Sequence, residues 1–338
     1  MSKPNPRRRP VWLWTGVFAA VCIFFVAYGW RQFLPLSPHS HEYAYIRVAP
    51  GESASQIGTT LEHRKIIRSA LAFDLASRAT NLSTTLKSGV YRLSPHDSLN
   101  TILRIMKSGD VVVIKVTIPE GFTVQQVVAR LLAAHIGNAK QYHELEQRPL
   151  FRMPTPMPGV RDPLEGFLFP ATYSFPWGVT AKEALETMWQ TFQSNALPLY
   201  LHAHTHLSVV QWVTLASIVQ QENKRAAEAP DIAAVFLNRI AIHMRLQSDA
   251  TVRYAIGHPI DGSLSYQNLQ VASPYNTYII SGLPPGPIAN PGLTALSAAL
   301  HPASVGYLYF LTLPNGQVLF ATTYQQQLAN IAYANAHY

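Results

Sequence analysis

Apolar positions along this 338-residue chain fall into an unbroken run and two kinds of periodic segment. Residues 11–30 carry no charge at all, twenty residues that at about 1.5 Å each match a hydrocarbon core of roughly 30 Å. Residues 43–48 read as a strand, Pro50-Gly51 turns the chain, and Ser53 with Gln56 three positions later is a capping box opening a helix toward Leu61. Near Ser98 the helical pattern recurs: Leu99, Ile102, Leu103 and Met106 form a stripe that ends at Gly109 after Lys107. Residues 89–93 and 111–118 read as matching strands, so 43–117 form a small strand-and-helix module.

Beyond it, Val124, Val127, Val128, Leu131 and Leu132 at helical spacing mark a connector over 118–160. Residues 147–163 hold five prolines and no apolar period, which sets a boundary, and 161–338 read as one mixed domain. The predicted fold class is α+β. No internal repeat or low-complexity tract appears.

The stretch from His206 to Arg245 is the most informative. Ser208 and Gln211 make another capping box, and Trp212, Leu215, Ile218 and Val219 build an apolar face on steps of three and four. The next position on that face is Glu222. A carboxylate there loses hydration, its pKa rises, and the group stays protonated, as a general acid must. The alternative is a helix that frays before Glu222 and leaves a solvated residue beside Lys224 and Arg225.

From 161 onward the acids are Asp162, Glu165, Glu183, Glu186, Glu222, Glu228, Asp231, Asp249 and Asp261. Glu183 and Glu186 suit the polar face of a helix, and Glu228 and Asp231 flank Pro230 at a helix start. Glu165, Glu222 and Asp249 have no such explanation, although Asp249 could cap a following helix. Around them stand groups of the kind that line a sugar cleft: Phe167 and Phe169, Asn238-Arg239, Gln247-Ser248, and Tyr275-Asn276-Thr277-Tyr278 ahead of the rigid Gly282-Leu283-Pro284-Pro285-Gly286 loop. His202, His204 and His206 have the spacing of a metal-binding strand face, but they precede a helix in a polar stretch and are assigned no metal.

Charge changes the picture at the N-terminus. The net charge is +8, from 26 Lys and Arg against 18 Asp and Glu, and Lys3, Arg7, Arg8 and Arg9 supply half of the excess. That cluster marks the side preceding residue 11 as cytoplasmic, and Trp12, Trp14, Tyr28 and Trp30 sit where rings favour the two interfaces. The expectation is a cytoplasmic tail at 1–10, a single retained transmembrane helix at 11–30, a linker at 31–42, and everything after it outside the cytoplasm. A basic stripe interleaved with stacking aromatics is missing, which speaks against nucleic acid. The lone Cys22 excludes an intramolecular disulfide and a cysteine zinc site, and there is neither a Gly-x-Ser-x-Gly elbow nor a phosphate-binding glycine loop.

Several ordered runs carry a resemblance. Leu215-Ala-Ser-Ile-Val-Gln-Gln-Glu-Asn223, Val235-Phe-Leu-Asn-Arg239, Met244-Arg-Leu-Gln-Ser-Asp249, Tyr275-Asn-Thr-Tyr278, Gly282-Leu-Pro-Pro-Gly286, His301-Pro-Ala303, Tyr307-Leu-Tyr-Phe310 and Glu165-Gly-Phe-Leu-Phe-Pro170 resemble the endolytic murein transglycosylase, or YceG-like, family. The resemblance covers nearly the whole chain. It implies an inner-membrane anchor with the rest periplasmic, a LysM-like module at 43–117, and a catalytic domain at 161–338. It also implies lytic cleavage of nascent peptidoglycan strands, with peptidoglycan synthases as candidate partners and no cofactor. Glu222 falls on the family's catalytic glutamate, with Glu165, Asn238, Gln247, Ser248, Asp249, Tyr275, Asn276 and Tyr278 as candidate substrate-binding residues. Where the family commonly has a second Glu, this chain has Gln220, and the C-terminal run 320–330 lacks the His residues often seen nearby. Two rivals stay open: a two-carboxylate muramidase-type hydrolase pairing Glu222 with Asp249 or Glu165, and a non-enzymatic scaffold.

Overall fold

The computed structural model describes residues 11–81, 86–147, 154, 158–223 and 225–338, the side chains of 11–16, 146 and 147 excepted. The basic tail at 1–10 and Lys224 lie outside the described residues. The first element, α1 (Val11–Arg31), is apolar all round, with Phe18, Ile23, Phe24, Phe25, Val26 and Trp30 exposed. Among the described residues no helix is long and apolar enough to cross a membrane.

The chain divides into two compact units, 1–114 with 176–178, and 115–175 with 179–338. In the first, β1 (Ala44–Val48) pairs antiparallel with β2 (Gly89–Leu93), Ala44 opposite Leu93 and Val48 opposite Gly89. Alternation along β1 turns Ile46 and Val48 inward. They meet Ile57 and Leu61 of α2 (Ala54–His63), Phe73 of α3 (Ala70–Ala79), Tyr91 and Leu93 of β2, and Ile102 and Met106 of α4 (Leu99–Ser108). The Ser53–Gln56 capping box is formed, and Gly109 closes α4 in the left-handed conformation at φ +70°. Helix α3 has no counterpart among the elements the pattern predicts. The strand expected over 111–118 does not join this sheet: Val111 makes one isolated bridge to Tyr91, and β3 (Val113–Thr117) pairs with β4 (Thr172–Pro176).

The second unit is mainly helical. It contains α5 (Val124–Ala133), α6 (Ala139–Gln147), α7 (Ala181–Asn195), α8 (Leu197–His202), α9 (Val209–Glu222), α10 (Ala229–Ala241), α11 (Asp249–Ile256), α12 (Tyr266–Leu269), α13 (Leu293–Leu300) and α14 (Tyr324–His337). A hairpin of β5 (Tyr309–Thr312) and β6 (Val318–Ala321) precedes α14. Helix α9 is the centre of this unit, with α10, α11 and α13 packed on it. It is buried on every side from Trp212 to Val219, not on one stripe as its aliphatic spacing suggests. Its polar residues make that possible. The Thr214 hydroxyl donates to Val210 O and the Ser217 hydroxyl to Thr214 O, so neither faces the core unsatisfied. The Trp212 indole N–H donates to Leu296 O of α13 at 2.8 Å, which pins the largest core side chain.

Candidate active site

Helix α9 does not fray early: it runs through Glu222, and Asn223 leaves it in extended geometry at φ −83°, ψ 120°. The last residue of a core helix is thus an acid. Glu222 keeps part of its surface open, but its carboxyl group is enclosed by protein. The Ser248 hydroxyl donates to Glu222 Oε1 at 2.6 Å, and the Ala250 N–H donates to the same carboxyl.

These two donors sit at the start of α11. Ser248 is its N-cap residue, yet the hydroxyl makes no cap bond to the helix and is given to Glu222 instead. In exchange the Glu222 carboxyl accepts one of the orphan N–H groups that a cap would normally take. Both bonds, and the positive end of α11, favour the ionised form. Burial acts the other way and is the largest influence, reinforced by the negative charge of Asp249, so the pKa of Glu222 is raised above the ordinary carboxyl value. The acid is therefore held in place by donors and kept protonatable by desolvation.

Asp249 is exposed at the first position of α11, and the Tyr278 hydroxyl donates to its Oδ1 at 2.7 Å. Ser248 is held in turn. Its N–H donates to the Thr277 hydroxyl at 3.0 Å, Thr277 and Thr251 share a hydroxyl bond at 2.8 Å, and all three residues are buried. Gln247 is exposed and reaches this register with φ +50°, its N–H on Thr277 O. The structure thus brings together Glu222, Ser248, Asp249 and Tyr278, with Gln247 alongside.

The other expected substrate contacts lie elsewhere. Asn276 is fully buried, its amide donating to Leu269 O and Val271 O while its carbonyl accepts the Tyr278 N–H. Asn238 spends its amide on Val305 O and Tyr307 O. Tyr275 is buried against Tyr254, its hydroxyl accepting the Arg161 N–H. Glu165 is also interior: Oε1 accepts the Val124 N–H at the first turn of α5, and the Tyr254 hydroxyl bonds it too. Burial first, then the charge of Asp162, holds Glu165 well above the usual carboxyl range. Gly166 beside it has φ +86°, and a Cβ there would come within 2.6 Å of Pro287, so the turn that seats Glu165 admits only glycine.

Sequence reasoning missed Ala250, Thr251 and the supporting use of Arg239. That guanidinium is buried, donates to Leu246 O at 2.7 Å and Leu308 O at 2.6 Å, and lies over the Tyr309 ring. It thereby fixes the chain leading into Gln247 and Ser248. Gln220 also finds its reason: its side-chain oxygen accepts the Gly292 N–H at the start of α13 at 2.9 Å. That position needs an acceptor, and Gln supplies one as well as Glu would. His202 lies at the end of α8, with Nδ1 2.7 Å from Pro198 O, so the histidine trio does not share a strand face.

A protonatable acid at a helix end, oriented by a hydroxyl and a backbone N–H, is the kind of group that general acid–base chemistry requires. The chain belongs to the YceG-like family, whose sequence model matches residues 46–333. It is 32% identical over 319 residues to the endolytic murein transglycosylase of Bacillus subtilis strain 168, an alignment covering 88% of this chain and 87% of that one. With the endolytic murein transglycosylase of Streptococcus pneumoniae strain D39 it is 30% identical over 88% of its own length, and spans 60% of that longer protein. A crystal structure of a YceG-like protein from Listeria monocytogenes superposes with a TM-score of 0.58 at 33% identity, over 86% of this chain and all of that one.

Proposed function

We infer that this chain is a lytic transglycosylase of peptidoglycan, a lyase that cuts between N-acetylmuramic acid and N-acetylglucosamine within glycan strands. The observation that carries the reading is Glu222, an enclosed acid with raised pKa and two fixed donors, in a chain whose relatives bear the name endolytic murein transglycosylase. Glu222 protonates the glycosidic oxygen as the bond to C1 breaks. The resulting carboxylate then takes the proton of the muramoyl C6 hydroxyl as that oxygen closes on C1, leaving a 1,6-anhydro end. Ser248 and Ala250 hold the carboxyl through both transfers. One acid suffices, because the nucleophile is part of the substrate. The test is the mass of the new ends released from glycan strands: anhydro ends are one water lighter than reducing ends. Reducing ends alone would sink the lytic reading in favour of a hydrolase using Asp249 as its second carboxylate.

The finer reading adds an anchor. The uncharged run 11–30, preceded by Arg7, Arg8 and Arg9, supports a single N-in span that holds the enzyme at the inner membrane, beside nascent strands and their synthases. A reporter active only in the periplasm, fused after Tyr338, is expected to work; activity of a cytoplasm-only reporter at that position would refute the topology. The strand–helix–helix–strand order from β1 to β2 supports a LysM-like module within 43–117. Residues 115–175 fold with 179–338 into one compact unit, so the proposed catalytic unit includes α5 and α6 and does not begin at 161.

A further inference from the structure

The outer face of the β1–β2 sheet is built unlike an ordinary solvated surface. Inward residues alternate along β1 with Tyr43, Tyr45 and Arg47, and Arg92 of β2 stands directly opposite Tyr45. Tyr43 and Tyr45 are 59% and 61% exposed, and Trp177, in the same compact unit, is 57% exposed. Leaving three large rings in water forfeits the burial that would normally stabilise them.

The rings are nonetheless held in order. Tyr45 and Trp177 stack with centroids 6.3 Å apart and planes 20° from parallel. The Arg92 guanidinium lies over the Tyr43 ring at 4.6 Å. The Trp177 backbone N–H donates to Val112 O, and the chain turns beside it at Gly178, φ +82°, where an added Cβ would come within 3.2 Å of the Arg47 guanidinium. Neither Arg47 nor Arg92 has an acidic partner: the ion pairs among the described residues are Arg78–Asp74 and Lys140–Glu144. The face is thus a row of amphipathic rings flanked by two uncompensated cations.

We propose that this face is a second, non-catalytic binding site for glycan strands, with Tyr45 and Trp177 stacking on sugar rings and Arg47 and Arg92 pairing with carboxylates along the strand. It rests on the reading that the chain acts on peptidoglycan, and deepens it by naming a strand-holding surface. Flat rings suit the apolar faces of pyranoses, and a peptide-free strand repeats a lactyl carboxylate at every muramoyl unit, which matches the free cations. A lipid surface is the other occupant such groups could take. It is disfavoured because an interfacial surface drives aliphatic side chains into the acyl boundary, whereas the aliphatic residue on this face, Val90, is buried.

The experiment uses the full chain in detergent, carrying Glu222→Gln so that strands stay whole, and peptide-free glycan strands as the probe. Adding Tyr45→Thr, which keeps strand propensity within β1, and Trp177→Thr, in the exposed turn after β4, is expected to weaken strand binding at least about tenfold with the thermal midpoint unchanged. Arg47→Gln with Arg92→Gln should weaken it too and flatten its dependence on salt. Unchanged strand binding in the Thr variant overturns the proposal. Acrylamide quenching of Trp177 emission, taken as the difference from Trp177→Thr, reports what covers the ring. Protection by strands supports the platform; protection by phosphatidylglycerol vesicles and not by strands overturns it. Failure of the cleavage reading is separately visible: a wild-type chain that leaves no anhydro ends, with strand binding still lost in the Thr variant, upholds the platform and removes the chemistry.

Discussion

Glu222→Gln is expected to abolish the release of anhydro-ended fragments, lowering the rate by about 100-fold or more. The amide keeps the volume of the side chain and its oxygen can still accept from the Ser248 hydroxyl, so the local geometry of α9 and α11 is expected to be retained. What it removes is the proton, and with it both halves of the reaction, since the same group must give a proton to the leaving oxygen and take one from the C6 hydroxyl. The fold should survive. With its folded-state pKa raised, Glu222 favours the folded chain fully below the ordinary carboxyl value and loses that contribution as pH rises through the folded value. Gln carries no such pH-dependent cost, so the variant should be at least as stable as the parent in alkaline buffer. Turnover is read from the mass of strand ends, folding from thermal melts at two pH values. A Glu222→Gln protein that still makes anhydro ends near the parental rate would remove Glu222 from the mechanism. A variant that melts far below the parent would make its inactivity uninformative, and Ser248 then provides the independent route.

Local signals in the sequence specify local structure well. Ser53 with Gln56 and Ser208 with Gln211 form the capping boxes their spacing suggests, and Gly109 ends α4 in the left-handed conformation. These features depend on residues three or four apart, and the chemistry is complete within that window. Strand partnership is not. The alternation of 111–118 reads as a strand, but nothing within it says that β3 pairs with β4, whose Thr172 shares a hydroxyl bond with Thr117 across 55 positions. The full burial of α9 is hidden for a different reason: Thr214 and Ser217 look like an outer face until their hydroxyls are seen bonded to the helix's own carbonyls.

The site is legible to the same degree. Glu222 stands out because an acid ends an apolar period, and Ser248 and Asp249 because their neighbourhood is dense in polar groups. That density cannot say which way a side chain points. Asn238 and Asn276 turn their amides to backbone carbonyls, and Glu165 turns inward to the Val124 N–H at the start of α5, so all three organise loops and helix ends. The Ala250 N–H cannot be singled out at all, because every residue but proline has one and only the fold decides which is left unpaired.

Ser248→Ala and Asp249→Asn should move the pH profile in opposite directions. The hydroxyl of Ser248 stabilises the ionised form of Glu222, so its loss raises the pKa of Glu222 further. Asp249 destabilises that form by charge, and its neutralisation lowers the pKa, while the amide oxygen introduced by Asp249→Asn can still accept from the Tyr278 hydroxyl. The general acid works when protonated, so activity is full below the folded-state pKa and falls as pH rises through it. The alkaline limb of kcat/KM is therefore expected to shift up in Ser248→Ala and down in Asp249→Asn. Ser248→Ala should also lower kcat by about tenfold, the effect of freeing a carboxyl that one hydrogen bond worth about 1.5–3 kcal/mol holds in line. Its cost to KM should be small, because the hydroxyl is turned to Glu222. Limbs that move together, or a Ser248→Ala limb that moves down, would mean that Ser248 does not act through Glu222. An Asp249→Asn protein as inactive as Glu222→Gln would instead make Asp249 a reacting group, and with it the two-carboxylate hydrolase the better account of this site.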